Sequence, residues 1–447
     1  MTGLITRLAV VTVAMVTGAL AAPAISQESP TGTSNWSPEQ VLEQLRDASR
    51  GAASPIRLRN FELVGHHDLG GEPFDFGDVW GHESFAYVGT RCGEDLSGGH
   101  GVQVVDISDP TTPVLASALP NPAFTRAEDV VVHDVSTPSF TGDLAAVGIQ
   151  DCFGSGHENE AFTGMIFFDV TDGYNPVELG RWELPQHSIG CHEVDLVQRT
   201  DGTVLAGCAH NLFDQFNPGP PSVQFVDATD PANPQTLSGW SLGTDVFRGV
   251  GCAQISFAHS VRFTNRGREA KVSNWDAGLV TLDISDPTSP IYETRIDIAP
   301  PDEDGDVHTM TPAGGGQWQI INTEDFCVGG DFNGWGEAYV YTSEGRFLTT
   351  FSTPNSDSSR TDGAYTIHNT EVVLGNQFFS SWYSDGIVWW DFANGVAHQK
   401  GQFVPPSDTE EPPLVWGVYP DRGQDVILAS DIISGLWIVR PEGLGDF

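Results

Sequence analysis

Lysine is almost absent from this chain, and basic residues as a whole are scarce. Its two lysines are Lys271 and Lys400, and Lys and Arg together number 20 against 60 Asp and Glu, which gives a formal net charge of −40. A surface of this charge repels the phosphates of a nucleic acid, so binding of DNA or RNA is not expected. Such a surface favours solubility in a saline or acidic medium, and it also attracts cations.

Long apolar runs are absent after the N-terminal segment. Residues 1–24 combine Arg7, an apolar stretch over residues 8–20 and a small-residue cleavage site at residues 22–24 or 19–21, which is the pattern of a secretory signal. No later run approaches the ~20 apolar residues that span a bilayer. We therefore expect an exported protein without a membrane span, which is secreted, held at the cell surface or, in a Gram-negative cell, periplasmic.

Several motifs that identify enzyme classes are also missing. The chain has no G-x-S-x-G elbow, P-loop, H-E-x-x-H or dinucleotide fingerprint, so serine hydrolase, NTPase, zincin and Rossmann chemistry are not supported. It has no Cys-x-x-Cys, which argues against thiol redox chemistry and a cysteine zinc site. A glycosidase stays open, because its two carboxylates need no fixed spacing in sequence.

The chain has six cysteines, at positions 92, 152, 191, 208, 252 and 327. In an exported protein they predict disulfides, whose connectivity the sequence alone does not determine. Cys92 and Cys152 follow matching strands in consecutive repeats, and neighbouring repeats bring such loops together. These two cysteines are therefore predicted to pair.

One phrase is repeated along the chain, four times closely and a fifth time more weakly. It reads Gly-Val-Gln-Val-Val-Asp-Ile-Ser-Asp-Pro-Thr-Thr-Pro at residues 101–113. Its shared aspartates are Asp106, Asp169, Asp227, Asp283 and Asp391. Recurrence about every 60 residues, with one gap of double length, in a chain of short strands is typical of a propeller or solenoid. The Asp-Pro end of the phrase is interpreted as a turn between two strands.

Each repeat is predicted to form four antiparallel strands, as a propeller blade does. The innermost strands of seven units begin near Gly77, His133, His192, His259, His308, His368 and Trp416. The seventh unit lacks its fourth strand, and residues 61–65 resemble the missing piece. We therefore predict an all-β, seven-bladed β-propeller of four-stranded antiparallel blades over residues 57–447, with its ring closed by an N-terminal strand. Residues 25–56 are interpreted as a linker with one short helix at residues 37–45.

The repeated phrase, with a His-Asp-Val strand upstream, resembles the LVIVD-repeat family, whose members are mostly exported proteins with β-propeller folds. The resemblance covers residues 61–440 and implies the fold, but it implies little about function, because propellers host binding, scaffolding and catalysis alike. A seven-bladed propeller with channel histidines is also similar in architecture to the selenium-binding proteins, whose methanethiol oxidase members use copper. No contiguous motif supports that second similarity.

Histidines recur in the predicted innermost strands. Five of them are placed at one aligned position: His133, His192, His259, His308 and His368. Innermost strands line the central channel of a propeller, so side chains at equivalent positions converge there. Imidazole is a favoured ligand of copper and zinc, which predicts a transition-metal site. Two alternatives stay open: each histidine hydrogen-bonds within its own blade, or the histidines line a pocket for an organic or anionic ligand.

A second set of candidates follows the second strand of each repeat. These residues are Arg91, Gln150, His210, Trp275, Glu324, Trp382 and Asp431. Polar and aromatic groups at the mouth of a channel suit a ligand pocket, and ordinary variation at loop entries is the alternative. Asp302, Asp304 and Asp306 are a candidate calcium site, for which a solvated acidic turn is the alternative.

Three functional hypotheses follow. The first is an exported binding or interaction module, expected to be a monomer. Its histidine-lined channel holds copper or zinc, and its partner is a small molecule or an extracellular protein or polymer. The second is a copper-type oxidoreductase acting on a small molecule at the channel mouth. The third is a purely structural surface protein.

Overall fold

The structure is a computed structural model that describes the chain from residue 58 onward with short gaps. The residues outside the description are 1–57, 71–74, 94, 153–154, 158–160, 185–188, 211–220, 243–256, 299–304, 327–334, 359, 407–411 and 446–447. The predicted signal segment, the predicted linker with its helix, Asp302, Asp304, Cys252 and Cys327 all lie outside the described residues.

The described residues form seven antiparallel sheets arranged as the blades of a ring. Two strands precede the first blade: β1 (Leu58–Arg59) and β2 (Phe61–His67). Blade 1 consists of β3 (Phe76–His82), β4 (Phe85–Thr90), β5 (Val102–Asp106) and β6 (Val114–Leu119). Blade 2 consists of β7 (Thr125–Arg126), β8 (Val130–Ser136), β9 (Thr141–Asp151), β10 (Gly164–Asp169) and β11 (Val177–Glu183). Blade 3 consists of β12 (Glu193–Gln198), β13 (Val204–Ala209), β14 (Val223–Asp227) and β15 (Gln235–Trp240).

The other four blades repeat this order. Blade 4 consists of β16 (Ala258–Thr264), β17 (Glu269–Asn274), a short 3-10 helix (Trp275–Ala277), β18 (Gly278–Asp283) and β19 (Ile291–Ile296). Blade 5 consists of β20 (Val307–Ala313), β21 (Trp318–Thr323), β22 (Ala338–Thr342) and β23 (Phe347–Phe351). Blade 6 consists of β24 (Thr370–Leu374), β25 (Gln377–Ser381), β26 (Ile387–Ala393) and β27 (Val396–Phe403). Blade 7 consists of β28 (Val415–Asp421), β29 (Val426–Asp431) and β30 (Gly435–Pro441).

The hydrophobic core lies between neighbouring blades. Successive side chains of a strand point to opposite faces of its sheet. In β9, Leu144 and Ala146 pack against blade 3, whereas Ala145 and Val147 pack against blade 1. Each of the seven clusters of buried apolar residues joins two adjacent blades in this way. This double burial explains why the strands are rich in β-branched and aromatic residues on both faces.

The first strands of the chain complete the last blades. β2 pairs antiparallel with β30, with Leu63 opposite Val439, and it supplies the fourth strand of blade 7. The shorter β1 adds a fifth strand to blade 6 by pairing with β27. The prediction of seven blades closed by an N-terminal strand is therefore confirmed, and the exposed edge of β30 is covered.

The repeated Asp-Pro phrase forms a turn, as predicted. The carboxylate of Asp106 accepts a hydrogen bond from the N–H of Ser108 at 2.8 Å, and Asp169, Asp227 and Asp283 accept the same bond two residues on. These Asx turns join the third strand of a blade to the fourth. Asp391 in the weak fifth copy differs, because it accepts from the side chain of Asn376 instead.

Two disulfides lie among the described residues. Cys92 is bonded to Cys152, which confirms the predicted pairing of the loops of blades 1 and 2. Cys191 is bonded to Cys208 within blade 3. Both are consistent with an oxidising compartment. No helix among the described residues is long and apolar enough to cross a membrane.

Closure of the ring by β2 is testable through Leu63, which is 7 % exposed within the core between blades 6 and 7. Leu63→Ala is expected to lower the free energy of unfolding by about 2–5 kcal/mol, the range for a buried leucine. Leu374→Ala is the matched control, because Leu374 is 57 % exposed at the end of β24. Chemical denaturation measures both variants, and equal losses would show that β2 does not contribute to the core.

Candidate functional site

The innermost strands of several blades begin with a β-bulge. Register shifts between Ala258 and Ser260, and between Val307 and Thr309, place His259 and His308 at bulges. A bulge redirects a side chain relative to the pleat. His192 immediately precedes β12, and its N–H donates to the carbonyl of Ala209 at 2.8 Å. This position is further held by the disulfide at the neighbouring Cys191.

Strand register defines one equivalent residue in every blade, called the central position below. Two residues after the central position, the inner strand pairs with a residue near the end of the second strand. In blade 3 this pair is Val194 and Cys208, and in blade 4 it is Val261 and Val272. The seven residues at the central position are Gly77, Glu128, His192, His259, His308, His368 and Trp416. Six of the seven predicted residues therefore hold this position, and blade 2 contributes a glutamate.

His133 lies elsewhere. It is opposite Leu144 in the middle of the long β8–β9 hairpin, five residues beyond Glu128, and its ring packs on Trp80 with centroids 5.5 Å apart. Burial, with smaller contributions from His82 and Arg262, lowers the pKa of His133 to about 4. The prediction that His133 aligns with the other four histidines is therefore wrong, and Glu128 occupies that position in blade 2.

Four histidines form a continuous row, called the central histidine cluster: His192, His259, His308 and His368. Their successive ring centroids are 4.4, 4.1 and 4.0 Å apart, and each side chain is at most 2 % exposed. The Nε2 atoms of His192 and His259 are 3.0 Å apart. Equivalent positions in blades 3 to 6 therefore converge at the axis, as the propeller geometry requires.

Three glutamates surround the cluster. The carboxylate of Glu128 lies 3.7 Å from His192 Nδ1. That of Glu193 lies 3.5 Å from His259 Nδ1 and 3.7 Å from His308 Nε2. That of Glu324 lies 3.7 Å from His308 Nε2 and 3.9 Å from His368 Nε2. Two groups of three donors have all their ligand atoms within 4.8 Å of one another, namely His192, Glu193 and His259, and His259, His308 and Glu324. Nitrogen and carboxylate donors in this arrangement are suited to a transition metal.

Burial keeps the cluster uncharged. It lowers the pKa of His259 to about 3 and holds the pKa values of His192, His308 and His368 well below the ordinary 6.5. Burial also raises the pKa of Glu324 to about 8, although the hydrogen bond from the Tyr383 hydroxyl opposes that rise. At neutral pH the imidazoles are therefore neutral, which is the form that binds a metal.

Several polar atoms of the cluster make no well-formed hydrogen bond among the described residues. They are both ring nitrogens of His308, Nδ1 of His259, Nδ1 of His368 and Oε2 of Glu324. Buried polar atoms are nearly always paired with protein, ordered water or an ion. Three of the rings nevertheless interact with the backbone of the next blade, namely His259 with His308, His308 with His368 and His368 with Trp416. The pattern is therefore compatible with a structural role between blades as well as with a bound ion.

Four of the predicted mouth residues surround the cluster. Gln150 Oε1 lies 3.1 Å from His192 Nδ1, and Trp275 stacks on His259 at 5.1 Å. Arg91 lies over the ring of Trp416 at 4.4 Å and 3.6 Å from Glu128. Glu324 is the fourth. Together they form an aromatic and charged boundary around the imidazoles.

The other three are held by contacts elsewhere in the described structure. Trp382 is buried in the core between blades 5 and 6. The carboxylate of Asp431 accepts hydrogen bonds from the N–H groups of Leu414 and Ile433. His210 Nε2 contacts the carbonyl of Pro221. Each of these three stabilises local structure.

The sequence reasoning missed Glu128, Glu193 and Tyr383. Glu193 directly follows His192, and Glu128-Asp-Val repeats the pattern of His192-Glu-Val, so both had a signal in the alignment. Asp306 of the candidate calcium site is buried, and its carbonyl accepts the N–H of Glu324 at 2.8 Å. Calcium binding there stays a prediction.

Comparison with known proteins supports the fold. The sequence profile of the LVIVD repeat matches residues 75–119 and 270–297. The first match covers blade 1, and the second covers most of blade 4. Fold and repeat together define a seven-bladed β-propeller with a buried histidine cluster at its axis. The chain therefore contains LVIVD repeats, which are known to form propellers. A search of proteins of curated function found no significant match.

The raised pKa of Glu324 makes a prediction for stability. Above pH 4.5 the folded protein keeps a proton on Glu324 that the unfolded chain releases. The contribution of Glu324 to the free energy of unfolding is therefore fully present below pH 4.5 and is lost as the pH rises toward 8. Between pH 5 and 7, chelator-treated wild type should lose about 1 kcal/mol of unfolding free energy per pH unit relative to Glu324→Gln. Denaturation at several pH values measures this difference. Glu62→Gln on the exposed side of β2 is the control, and parallel curves for wild type and Glu324→Gln would refute the assignment.

Proposed function

We propose that this LVIVD-type propeller is an exported binding module whose central histidine cluster holds a divalent transition metal, copper or zinc. The observation that supports this most strongly is the contact of four neutral, buried imidazoles from four separate blades. Nothing in blade packing requires them to meet, because an apolar residue would fill the same position without burying polar nitrogens.

The chemistry of the donors supports the same proposal. Copper and zinc bind neutral imidazole nitrogen and carboxylate oxygen, with bonds of about 2.0–2.2 Å to zinc. His192, His259 and His308 would supply nitrogens, and Glu193 or Glu324 would supply oxygen. A bound cation also stabilises the ionised form of these buried carboxylates, whose pKa values burial otherwise raises.

Metal content tests the proposal. Protein purified without chelator is expected to contain stoichiometric copper or zinc by elemental analysis, and His192→Ala with His259→Ala should lower that content at least tenfold. His133→Ala is the matched control, because it removes a half-buried histidine from the same set of innermost strands away from the cluster. Absence of metal from wild type, or its full retention in the double variant, would contradict the proposal.

A copper-type oxidoreductase is the second candidate, and the pair Tyr383 and Glu324 favours it. The Tyr383 hydroxyl donates to Glu324 beside His308 and His368, and the pKa of Glu324 near 8 suits a group that exchanges protons at neutral pH. Such an enzyme would accept a small molecule from the side lined by Arg91 and Trp416.

Oxygen consumption distinguishes the two candidates. Copper-loaded protein is offered small thiols, and an oxidoreductase should consume oxygen at a rate that Tyr383→Phe lowers about tenfold or more. Tyr365→Phe is the matched control, because the Tyr365 hydroxyl bonds Asp362 instead of a cluster residue. Bound copper without oxygen consumption would favour the binding module.

A further inference from the structure

The innermost strands continue past the central position toward the opposite end of the ring. Side chains alternate along a strand, so residues one, three and five places after the central position share the face that looks toward the axis. Two hydrogen bonds between blades that are not neighbours confirm this direction. Asn369 of blade 6 donates to Asp78 of blade 1 at 2.6 Å, and Arg262 of blade 4 donates to Glu371 of blade 6 at 2.6 Å.

Solvent reaches this part of the axis. The side chain of Arg262 is 33 % exposed and that of Glu371 is 22 % exposed, although both belong to innermost strands and bond each other past blade 5. Both lie three places after the central position, where blades 1, 3 and 7 contribute Trp80, Asp195 and Tyr419. These five side chains define a second concave region of the axis, called the lower pocket.

One wall of the lower pocket is aromatic. The rings of Trp80 and Tyr419 have centroids 4.9 Å apart, and both side chains are half-buried. Nε1–H of Trp80 donates to the carbonyl of Val132 at 3.1 Å, and His133 meets the Trp80 ring at 5.5 Å. Contacts with blades 2 and 7 thus fix the orientation of Trp80. The faces of tryptophan and tyrosine rings attract cations.

The opposite wall has more carboxyl groups than basic groups. Arg262 pairs with Glu371 at 2.6 Å, so each neutralises the other. Asp195 lies at the same level, and Asp78 and Asp129 lie next to it, one place after the central position. The hydrogen bonds that these three aspartates accept come from neutral backbone and amide N–H groups. This wall therefore favours a cationic ligand over an anionic one.

The end of the lower pocket supplies a buried carboxylate with an open position. Asp421, five places after the central position of blade 7, is 4 % exposed. Its Oδ1 accepts two N–H groups of the following turn, whereas its Oδ2 makes no well-formed hydrogen bond among the described residues. The neighbouring Arg422 donates to the carbonyl of Val372 instead. Burial raises the pKa of Asp421, and a cationic partner at Oδ2 would stabilise the ionised form.

We propose that the lower pocket binds a small organic cation, an ammonium group attached to an apolar body. The body packs on Trp80 and Tyr419, whose ring faces also attract the charge, and the ammonium group donates a hydrogen bond to Oδ2 of Asp421. The remaining carboxyl groups of the acidic wall favour the same charge. This site is separate from the central histidine cluster and does not depend on a bound metal.

Calorimetric titration of the chelator-treated protein tests the inference. The probes are benzylamine, which is a cation at neutral pH, and the uncharged benzyl alcohol of similar shape. Benzylamine should bind about tenfold more tightly than benzyl alcohol, and Trp80→Leu and Asp421→Asn should each weaken benzylamine binding about tenfold. Trp335→Leu is the matched control and should bind as wild type, because Trp335 packs on Phe326 and Tyr365, away from the lower pocket.

Glu371→Gln gives a second readout, because it leaves the charge of Arg262 without its partner. Benzylamine affinity should fall about tenfold in this variant, whereas the affinity for benzoate should rise. Absence of benzylamine binding, equal binding of benzyl alcohol, or unchanged affinity in both Trp80→Leu and Asp421→Asn would overturn the inference. If Trp80→Leu does not fold by circular dichroism, Tyr419→Leu replaces it with the same expected loss. None of these outcomes depends on the metal content of the cluster.

Discussion

The structure depends on the burial of both faces of every blade. Each sheet supplies alternate side chains to two interfaces, so a blade is stable only between two neighbours, and the last interface has to join the end of the ring to its beginning. Convergence at the axis follows directly from this constraint. Because all innermost strands share one register, a residue type repeated at one position of the blade becomes a ring of side chains, and in blades 3 to 6 that residue is histidine.

The centre of the ring has an electrostatic character opposite to that of the core between blades. Imidazoles and carboxyl groups lie in contact where burial disfavours their charged forms, which costs stability unless each group is paired or neutral. The structure limits this cost by keeping the histidines neutral and by setting Arg91 and Arg126 against Glu128. An arrangement that is costly for folding and places chemically useful groups together is typical of a functional site.

The repeat in the sequence was sufficient to predict the blades, their number and the closing strand, because Asp106, Asp169, Asp227 and Asp283 recur at turns that every blade needs. It also located four of the five cluster candidates. His133 was placed incorrectly because blade 2 has a longer inner hairpin, so its His-Asp-Val phrase begins five residues beyond the Glu-Asp-Val phrase at Glu128. The side chains of Trp382 and Asp431 point away from the cluster because of local turns, which an alignment of the repeats does not reveal. Glu193 was missed since an exposed or channel-facing glutamate has the same sequence pattern.

The pairing of β2 with β30 has a consequence for how the molecule is assembled. Blade 7 contains both the first long strand and the last strand of the described chain, so it cannot form until β30 has been synthesised. Trp416, which contacts His368 at 4.6 Å, belongs to that blade. An emerging chain therefore presents blades 1 to 6 as an open arc with its axial groups reachable from the side. The arrival of the final strand turns that arc into a closed ring, in which each of the four imidazoles is at most 2 % exposed.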